Sequence, residues 1–171
     1  MSRTKWNIVL ALVVCGSLLL TGAVAQQPVE RPMTVHGIST VTLDLVNVGF
    51  DENGPYLTWT VTVRSQNSHL GQCAEEGSGR YYLWANFEAG SGRSIAANGD
   101  ELWWDAYEIP GPQQTILTWT GGTGRFQNAT GGLTFEYALV GEDQYEYGDG
   151  VPVRMVRTFT YRDTGTGTIT Y

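Results

Sequence analysis

The sequence predicts an all-β protein, a single antiparallel barrel of eight strands, with a β-sandwich as the alternative. Three observations favour this class: apolar and polar residues alternate in short segments, turn residues separate the segments, and no stretch after residue 25 has the apolar spacing of a helix. The alternating segments are 40–48, 56–63, 80–87, 100–109, 114–120, 132–140, 151–162 and 167–171.

The composition of these segments supports the prediction. They are rich in Thr, Val, Tyr, Trp and Leu, which suit a pleated and half-buried surface. Groups rich in Gly, Asn and Pro lie between them and predict turns. These groups are DENGP at 51–55, GSG at 77–79, GSGR at 90–93, ANGD at 97–100, PGP at 110–112, GGTG at 121–124, ATGG at 129–132 and GDG at 148–150.

The first 25 residues have the pattern of a cleaved signal peptide. Arg3 and Lys5 make the start positive, an apolar run of about 13 residues follows, and small residues end at Ala25. The run is shorter than the ~20 residues that cross a bilayer. We therefore predict a signal peptide at 1–25, one mature barrel domain at 26–171, a secreted or periplasmic protein, and no stable membrane anchor after cleavage.

The charge of the mature chain excludes two classes of partner. Without Arg3 and Lys5 the chain keeps eight basic residues, all Arg, against seventeen acidic ones, a formal charge of −9. An acidic surface repels nucleic acid and anionic lipid, so neither is an expected partner. Cys73 is the single cysteine left after Cys15 leaves with the signal, so an internal disulfide is not expected.

The segment WTGGTGRFQNATGG at 119–132 concentrates five glycines around one Arg-Phe pair. A phosphate-binding loop would need a following helix and a Lys, and neither is present. We therefore predict two tight turns, with Phe126 as an apolar plug between them and Arg125 bound to a nearby carboxylate or carbonyl. The predicted structural motif is Gly121, Gly122, Gly124, Arg125, Phe126 and Gly131.

Three segments resemble the allene oxide cyclase-like barrel proteins, a group similar to plant allene oxide cyclases and dirigent proteins. They are AANGDEL at 96–102, GGTGRFQNATG at 121–131 and GTITY at 167–171. The resemblance covers about the last 75 residues. It implies an eight-stranded antiparallel barrel of the calycin type that often self-associates and has an apolar interior. The polar residues that perform the chemistry of the plant proteins have no match here, and a shared fold does not license a shared function.

Metal and cofactor sites are not predicted. His36, His69 and Cys73 are the only nitrogen or sulfur ligands of the mature chain, and their spacing fits no zinc site. The acidic loops at 51–54 and 141–150 lack the ligand spacing of an EF-hand. We therefore expect no metal and no cofactor.

Aromatic residues form the most informative set. Adjacent residues of a strand point to opposite faces, so Trp103 and Trp104 must lie on opposite sides of the barrel wall. The exposed ring of such a pair implies a ligand or a second subunit. The candidate ligand-binding residues are Trp59, Trp84, Trp104 and Trp119, all on predicted strands.

The sequence leaves three function classes open. The first is an exported barrel that binds a small apolar or aromatic ligand without reaction, which requires the fewest additional residues. The second is an isomerase or cyclase in which Asp105 or Glu136 acts as acid or base inside the barrel. The third is a carbohydrate-binding or homo-oligomeric assembly module that uses exposed Trp and Tyr rings.

Overall fold

The computed structural model describes residues 28–85, 87–109, 114–141, 144–147 and 155–171. These residues form ten strands and one short 3₁₀ turn at Gly124–Phe126. The strands are β1 Glu30–Asp44, β2 Gly49–Asp51, β3 Gly54–Asn67, β4 Gly71–Tyr82, β5 Phe87–Ala96, β6 Glu101–Ile109, β7 Gln114–Gly122, β8 Thr130–Leu139, β9 Gln144–Tyr147 and β10 Met155–Thr170.

Eight of the strands close into a barrel. The ring runs β1, β10, β8, β7, β6, β5, β4 and β3, and β3 returns to pair with β1. Every neighbouring pair is antiparallel. The predicted eight-stranded antiparallel barrel is therefore confirmed over the sandwich. The two short strands lie outside the ring, β2 beside β3 and β9 beside β10.

Alternation along each strand sorts its side chains between the interior and the outer face. In β3 the buried Leu57 and Trp59 alternate with the exposed Thr58 and Thr60. Closure removes the free sheet edges that an open sheet of this length would present. The strand pattern that predicts the fold is therefore also the pattern that decides which residues face the interior.

One end of the barrel is filled by side chains and is called the packed end here. Its fully buried members are Met33, Val35, Leu102, Phe126 and Ile169. Phe126 has no exposed surface, and its ring contacts the ring of Tyr171 edge-on, with 5.1 Å between centroids. Burial of each such aromatic or aliphatic side chain contributes about 1.5–3 kcal/mol, so this end anchors the barrel.

Two glycine groups that were predicted as turns lie instead in the middle of strands. Gly77 and Gly79 of β4 are paired with Gly92 and Gly90 of β5. All four face the interior, where a large ring occupies the space of the missing side chains. A Cβ atom at Gly79 or Gly90 would lie 2.5 Å from the Trp59 ring. These glycines therefore let a large aromatic ring pack against the barrel wall, and they do not indicate a reversal of the chain.

The limits of three other predicted strands also change. The segment 80–87 is not one strand, because β4 ends at Tyr82 and a turn carries Trp84 to the surface. β1 begins at Glu30, ten residues before the predicted start. The closing GTITY segment is continuous with the strand before it and forms the end of β10. Within the described ranges of the chain, no helix is long and apolar enough to cross a membrane.

Candidate ligand-binding site

The half of the barrel opposite the packed end contains a cavity of about 370 Å³ that is partly open to solvent. Its wall is apolar and aromatic, with charged groups at two levels. The aromatic members are Trp59, Tyr81, Trp104, Phe135, Tyr137, Phe159 and Tyr161. The charged members are Glu75, Glu88, Glu108, Arg157 and Asp163. A concave, largely apolar space with a few polar groups is the usual form of a small-molecule site.

The inward-facing residue pairs of β4 and β5 define successive levels of the barrel interior, from the packed end to the opposite end. From the packed end they are Cys73 with Ala96, Glu75 with Ser94, Gly77 with Gly92, Gly79 with Gly90, and Tyr81 with Glu88. We call the level of Glu75 the cavity floor and the level of Glu88 the cavity rim. They are separated by six residues along a strand, roughly 20 Å.

Trp104 and Trp59 lie at the two glycine levels between floor and rim. A Cβ atom at Gly77 or Gly92 would lie 2.3 or 2.4 Å from the Trp104 ring. The indole N–H groups of both tryptophans are buried and donate to no acceptor within the described chain. A buried donor without an acceptor costs about 1–3 kcal/mol. These two donors therefore favour a ligand that carries an acceptor.

The cavity floor holds a hydrogen-bonded carboxyl group, Glu75. The hydroxyl of Ser65 donates to Oε1 at 2.5 Å, and the hydroxyl of Ser94 donates to Oε2 at 3.0 Å. Burial raises the pKa of Glu75, and the two serine hydrogen bonds oppose that rise. The Cys73 thiol, 3.0 Å from the Ser65 oxygen, has its pKa raised to about 11 by burial, so it stays protonated.

A second carboxyl group, Asp163 of β10, completes the floor. Burial raises its pKa to about 6, a hydrogen bond with Ser39 opposes the rise, and the charge of Glu75 adds to it. The two carboxyl groups are therefore close enough to influence each other's ionisation. At neutral pH Asp163 is mostly ionised inside a partly apolar cavity, which is a state that a ligand cation would stabilise.

The cavity rim holds another pair of carboxyl groups, Glu88 and Glu108, on neighbouring strands. Burial raises the pKa of Glu88 to about 7, and the charge of Glu108 adds to the rise. The Tyr137 hydroxyl donates to Oε1 of Glu108. Burial and this carboxylate raise the pKa of Tyr137 above its ordinary value. Glu88 can therefore be present as acid or as base near neutral pH.

The predicted catalytic candidates do not lie at the cavity. Asp105 is exposed on the outer face of β6, and Glu136 is exposed on β8, where it accepts a hydrogen bond from Gln114 at 3.3 Å. Each is one residue from an inward position. Neither side chain can contact a ligand inside the barrel, because the barrel wall separates them from it.

The four candidate tryptophans occupy three different environments. Trp59 and Trp104 line the cavity. Trp119 is buried among the side chains of the packed end, and its N–H donates to the Thr168 carbonyl at 3.0 Å. Trp84 is 78% exposed in the turn after β4. The structure therefore brings two of the four candidates together at one site.

Sequence reasoning missed Glu75, Glu88, Glu108 and Asp163. A signal for the first of them was present in the segment AEEG. Glu75 and Glu76 are adjacent on a strand, so one must face inward, by the same alternation that separates Trp103 from Trp104. Glu76 is exposed and pairs with Arg93 at 2.6 Å. Assignment of GSG as a turn hid this strand and its inward carboxyl group.

The two motif segments AANGDEL and GGTGRF pack against each other at the packed end. Gly124 has a φ of +54°, and a Cβ atom there would lie 2.1 Å from Oδ1 of Asp100. The Arg125 guanidinium lies 3.8 Å from Asp100 and donates to the His69 carbonyl at 2.8 Å. These contacts hold Phe126 in the barrel end, which is a structural role, and none of these residues lines the cavity.

Within the described residues, no group of three or more His, Cys, Asp and Glu side chains is arranged to hold a metal ion. The cavity carboxyl groups lie in pairs, two at the floor and two at the rim. The site therefore offers hydrogen bonding, proton transfer and charge pairing from side chains.

Comparison with known proteins gives a structural likeness alone. No protein-family model and no curated protein matches the chain. Among solved structures, the pterocarpan synthase dirigent protein GePTS1 matches with a TM-score of 0.50 at 14% identity, over 85% of this chain and 88% of that one. The pterocarpan synthase dirigent protein PsPTS1 matches with a TM-score of 0.45 at 14% identity, over 82% and 95%.

The likeness to the first of these proteins concerns the fold. It supports a dirigent-like barrel fold. An identity of 14% carries no residue of that protein's chemistry to this chain.

Proposed function

We propose that this protein binds a small, largely apolar or aromatic ligand inside its barrel. The observation that carries the proposal is the cavity of about 370 Å³, which the side chains of Trp59 and Trp104 line without filling. An eight-stranded barrel is narrow enough to be filled by side chains, as it is at the packed end. An interior space of this size instead suits a molecule of moderate size.

A panel of compounds tests the proposal and its alternatives. Thermal shifts and intrinsic tryptophan fluorescence are measured with aromatic compounds, fatty acids and oligosaccharides. Aromatic ligands should raise the melting temperature and change the emission of Trp59 and Trp104, because binding to the native state alone stabilises it. Stabilisation by oligosaccharides alone would favour the carbohydrate-binding class, and stabilisation by no compound would contradict the proposal.

The second candidate function is an isomerase or cyclase activity on the bound ligand. Glu88 favours it, because its pKa of about 7 is suited to general acid–base catalysis and its side chain lines the cavity. Conversion of a stabilising compound would be followed by chromatography. Loss of conversion in Glu88→Gln, with ligand affinity retained, supports this function. An equal rate in both proteins would contradict a role for Glu88.

Export remains part of the proposal, based on the sequence pattern of residues 1–25, all of which lie outside the described ranges. Mass spectrometry of the extracellular or periplasmic fraction should give an N-terminus near Gln26. Recovery of the intact chain from the cytoplasm alone would contradict it.

Self-association also remains a proposal. Trp103, 42% exposed on the outer face, is the ring that a second subunit would cover.

A further inference from the structure

The two carboxyl groups of the cavity floor have only neutral hydrogen-bond partners. Ser65 and Ser94 donate to Glu75, and Ser39 is the hydrogen-bond partner of Asp163. Buried carboxyl groups in proteins are usually paired with a cation, because ionisation in an apolar environment is otherwise costly. The negative charge that Asp163, with a pKa of about 6, has at neutral pH is therefore met at the floor by neutral groups alone.

No side chain of the described chain supplies that cation. Arg80, Arg93 and Arg125 form ion pairs with acids elsewhere, and no cationic side chain is among the groups that shift the pKa of Glu75 or of Asp163. The chain has no Lys after residue 5. Arg157 lines the cavity, but it lies six residues along β10 from Asp163, roughly 20 Å at the backbone, with its guanidinium 4.4 Å from the centre of the Phe159 ring.

A second and independent observation indicates a ligand at the same cavity. The buried N–H groups of Trp59 and Trp104 donate to no acceptor of the described chain. Both rings line the cavity at the levels directly above the floor. The cavity thus has N–H donors without acceptors along its wall, and carboxyl groups without a cation at one end.

We propose that the ligand is an aromatic amine whose ammonium group lies between Glu75 and Asp163, with an oxygen acceptor on its aromatic body beside Trp59 and Trp104. The inference rests on the proposed function and narrows it to a ligand class. A charge-assisted hydrogen bond between ammonium and carboxylate is roughly twice as strong as a neutral one. The aromatic wall adds cation–π attraction in a desolvated site. A carboxylate ligand would meet repulsion at the floor.

Three compounds that share one body and differ in one headgroup test the inference. Para-methoxyphenethylamine, para-methoxyphenylethanol and para-methoxyphenylacetate are titrated by calorimetry at pH 7.5. The amine should bind at least about tenfold more tightly than the alcohol, and the acetate should bind most weakly. Equal affinity of amine and alcohol, or preference for the acetate, would overturn the amine proposal and leave ligand binding intact.

The remaining outcome separates the two proposals. If none of the three compounds binds but other compounds of the panel stabilise the protein, the amine proposal fails and the proposed function stands. If nothing binds at all, the proposed function fails as well. Because this comparison uses the wild-type protein, it decides the question even if floor variants do not fold.

Variants of the floor locate the ammonium group. Asp163→Asn and Glu75→Gln should each reduce the advantage of the amine over the alcohol at least about threefold, with the alcohol affinity unchanged. The matched controls are Asp105→Asn and Glu76→Gln, on the outer face, which should leave both affinities unchanged. An undiminished amine preference in both folded floor variants would place the ammonium group elsewhere and overturn the proposal.

Discussion

The packed end and the cavity half of the barrel are built from the same strands and the same residue types. Side chains fill the interior at the packed end, whereas they leave a cavity in the other half. At the packed end, Phe126 closes the interior, and the N–H of Trp119 donates to the Thr168 carbonyl. In the cavity half, Trp59 and Trp104 are equally buried, but their N–H groups have no acceptor in the described chain. The packed end is thus complete by itself, whereas the cavity half has polar groups that a ligand would satisfy.

Glycine also has a different role in each half. At Gly124 it permits a positive φ and the close approach of the Asp100 carboxylate. In β4 and β5, Gly77 and Gly92 have extended backbones and make room for the Trp104 ring. The first use fixes the chain path, and the second shapes the cavity wall. A substitution at Gly124 should therefore affect stability alone. A substitution at Gly77 or Gly92 should affect both stability and the shape of the cavity.

The largest expected loss of stability follows removal of the plug at the packed end. Phe126→Ala should lower the free energy of unfolding by about 3–5 kcal/mol, because it leaves a cavity where a fully buried ring was. Denaturant unfolding measures the change. The control is Phe50→Ala, since Phe50 is 72% exposed and should cost little. Comparable stability of Phe126→Ala and wild type would mean that the packed end does not anchor the barrel.

Trp103 and Trp104 separate the outer face from the interior. Trp104→Ala should cost about 3 kcal/mol and weaken ligand binding, since its ring is buried at the cavity wall. Trp103→Ala should cost much less, because its ring is exposed and its N–H donates to Glu101 at 2.9 Å on the surface. Equal and large losses for both, in the same unfolding experiment, would show that the outer ring is also covered.

Gly124→Val tests the structural role of the glycine motif. A β-branched residue at a φ of +54° is strained, and its Cβ would meet the Asp100 carboxylate, so stability should fall by about 1–3 kcal/mol. Ligand affinity, measured at a temperature where the variant is folded, should be unchanged. A melting temperature equal to that of wild type would contradict the role assigned to this turn.

The smallest effect concerns pH and the cavity rim. The pKa of Glu88 is about 7 in the folded protein and lower in the unfolded chain, so its ionisation opposes folding as pH rises from about 4 to 7. Glu108 raises that pKa, and the other titratable or charged side chains toward this end of the cavity are Tyr81, Tyr137 and Arg157. Glu88→Gln should therefore gain roughly 1–2 kcal/mol relative to wild type between pH 5 and pH 8.

Unfolding free energies measured across that pH range check the prediction. Glu136→Gln, on the outer face of β8, is the control and should follow the wild-type profile. A Glu88→Gln profile parallel to that of wild type would show that Glu88 is not desolvated at the rim.

The fold could be predicted from the sequence because alternation and turn residues act locally. The wall glycines could not be assigned, because Gly77 and Gly92 are explained by Trp104, a residue distant in sequence whose ring takes the space of their missing side chains. The inward Glu75 was missed for the same reason. When 77–79 and 90–93 are assigned to turns, β4 is not recognised as a strand, and the inward orientation of Glu75 cannot be predicted. Trp84 shows the opposite error. The sequence predicts that it lies on a strand, but it lies in a turn.

The most direct test of the cavity is to fill it. Val61 lines the cavity and pairs with Gly77, whereas the next residue, Thr62, is exposed on the outer face. The neutral fluorescent probe N-phenylnaphthylamine is titrated into wild type, Val61→Phe and Thr62→Phe, with melting curves to confirm that each is folded. Saturable binding to wild type and Thr62→Phe, with at least about tenfold weaker binding to Val61→Phe, is the expected result. Equal binding to all three proteins, or none to wild type, would contradict a ligand site inside the barrel.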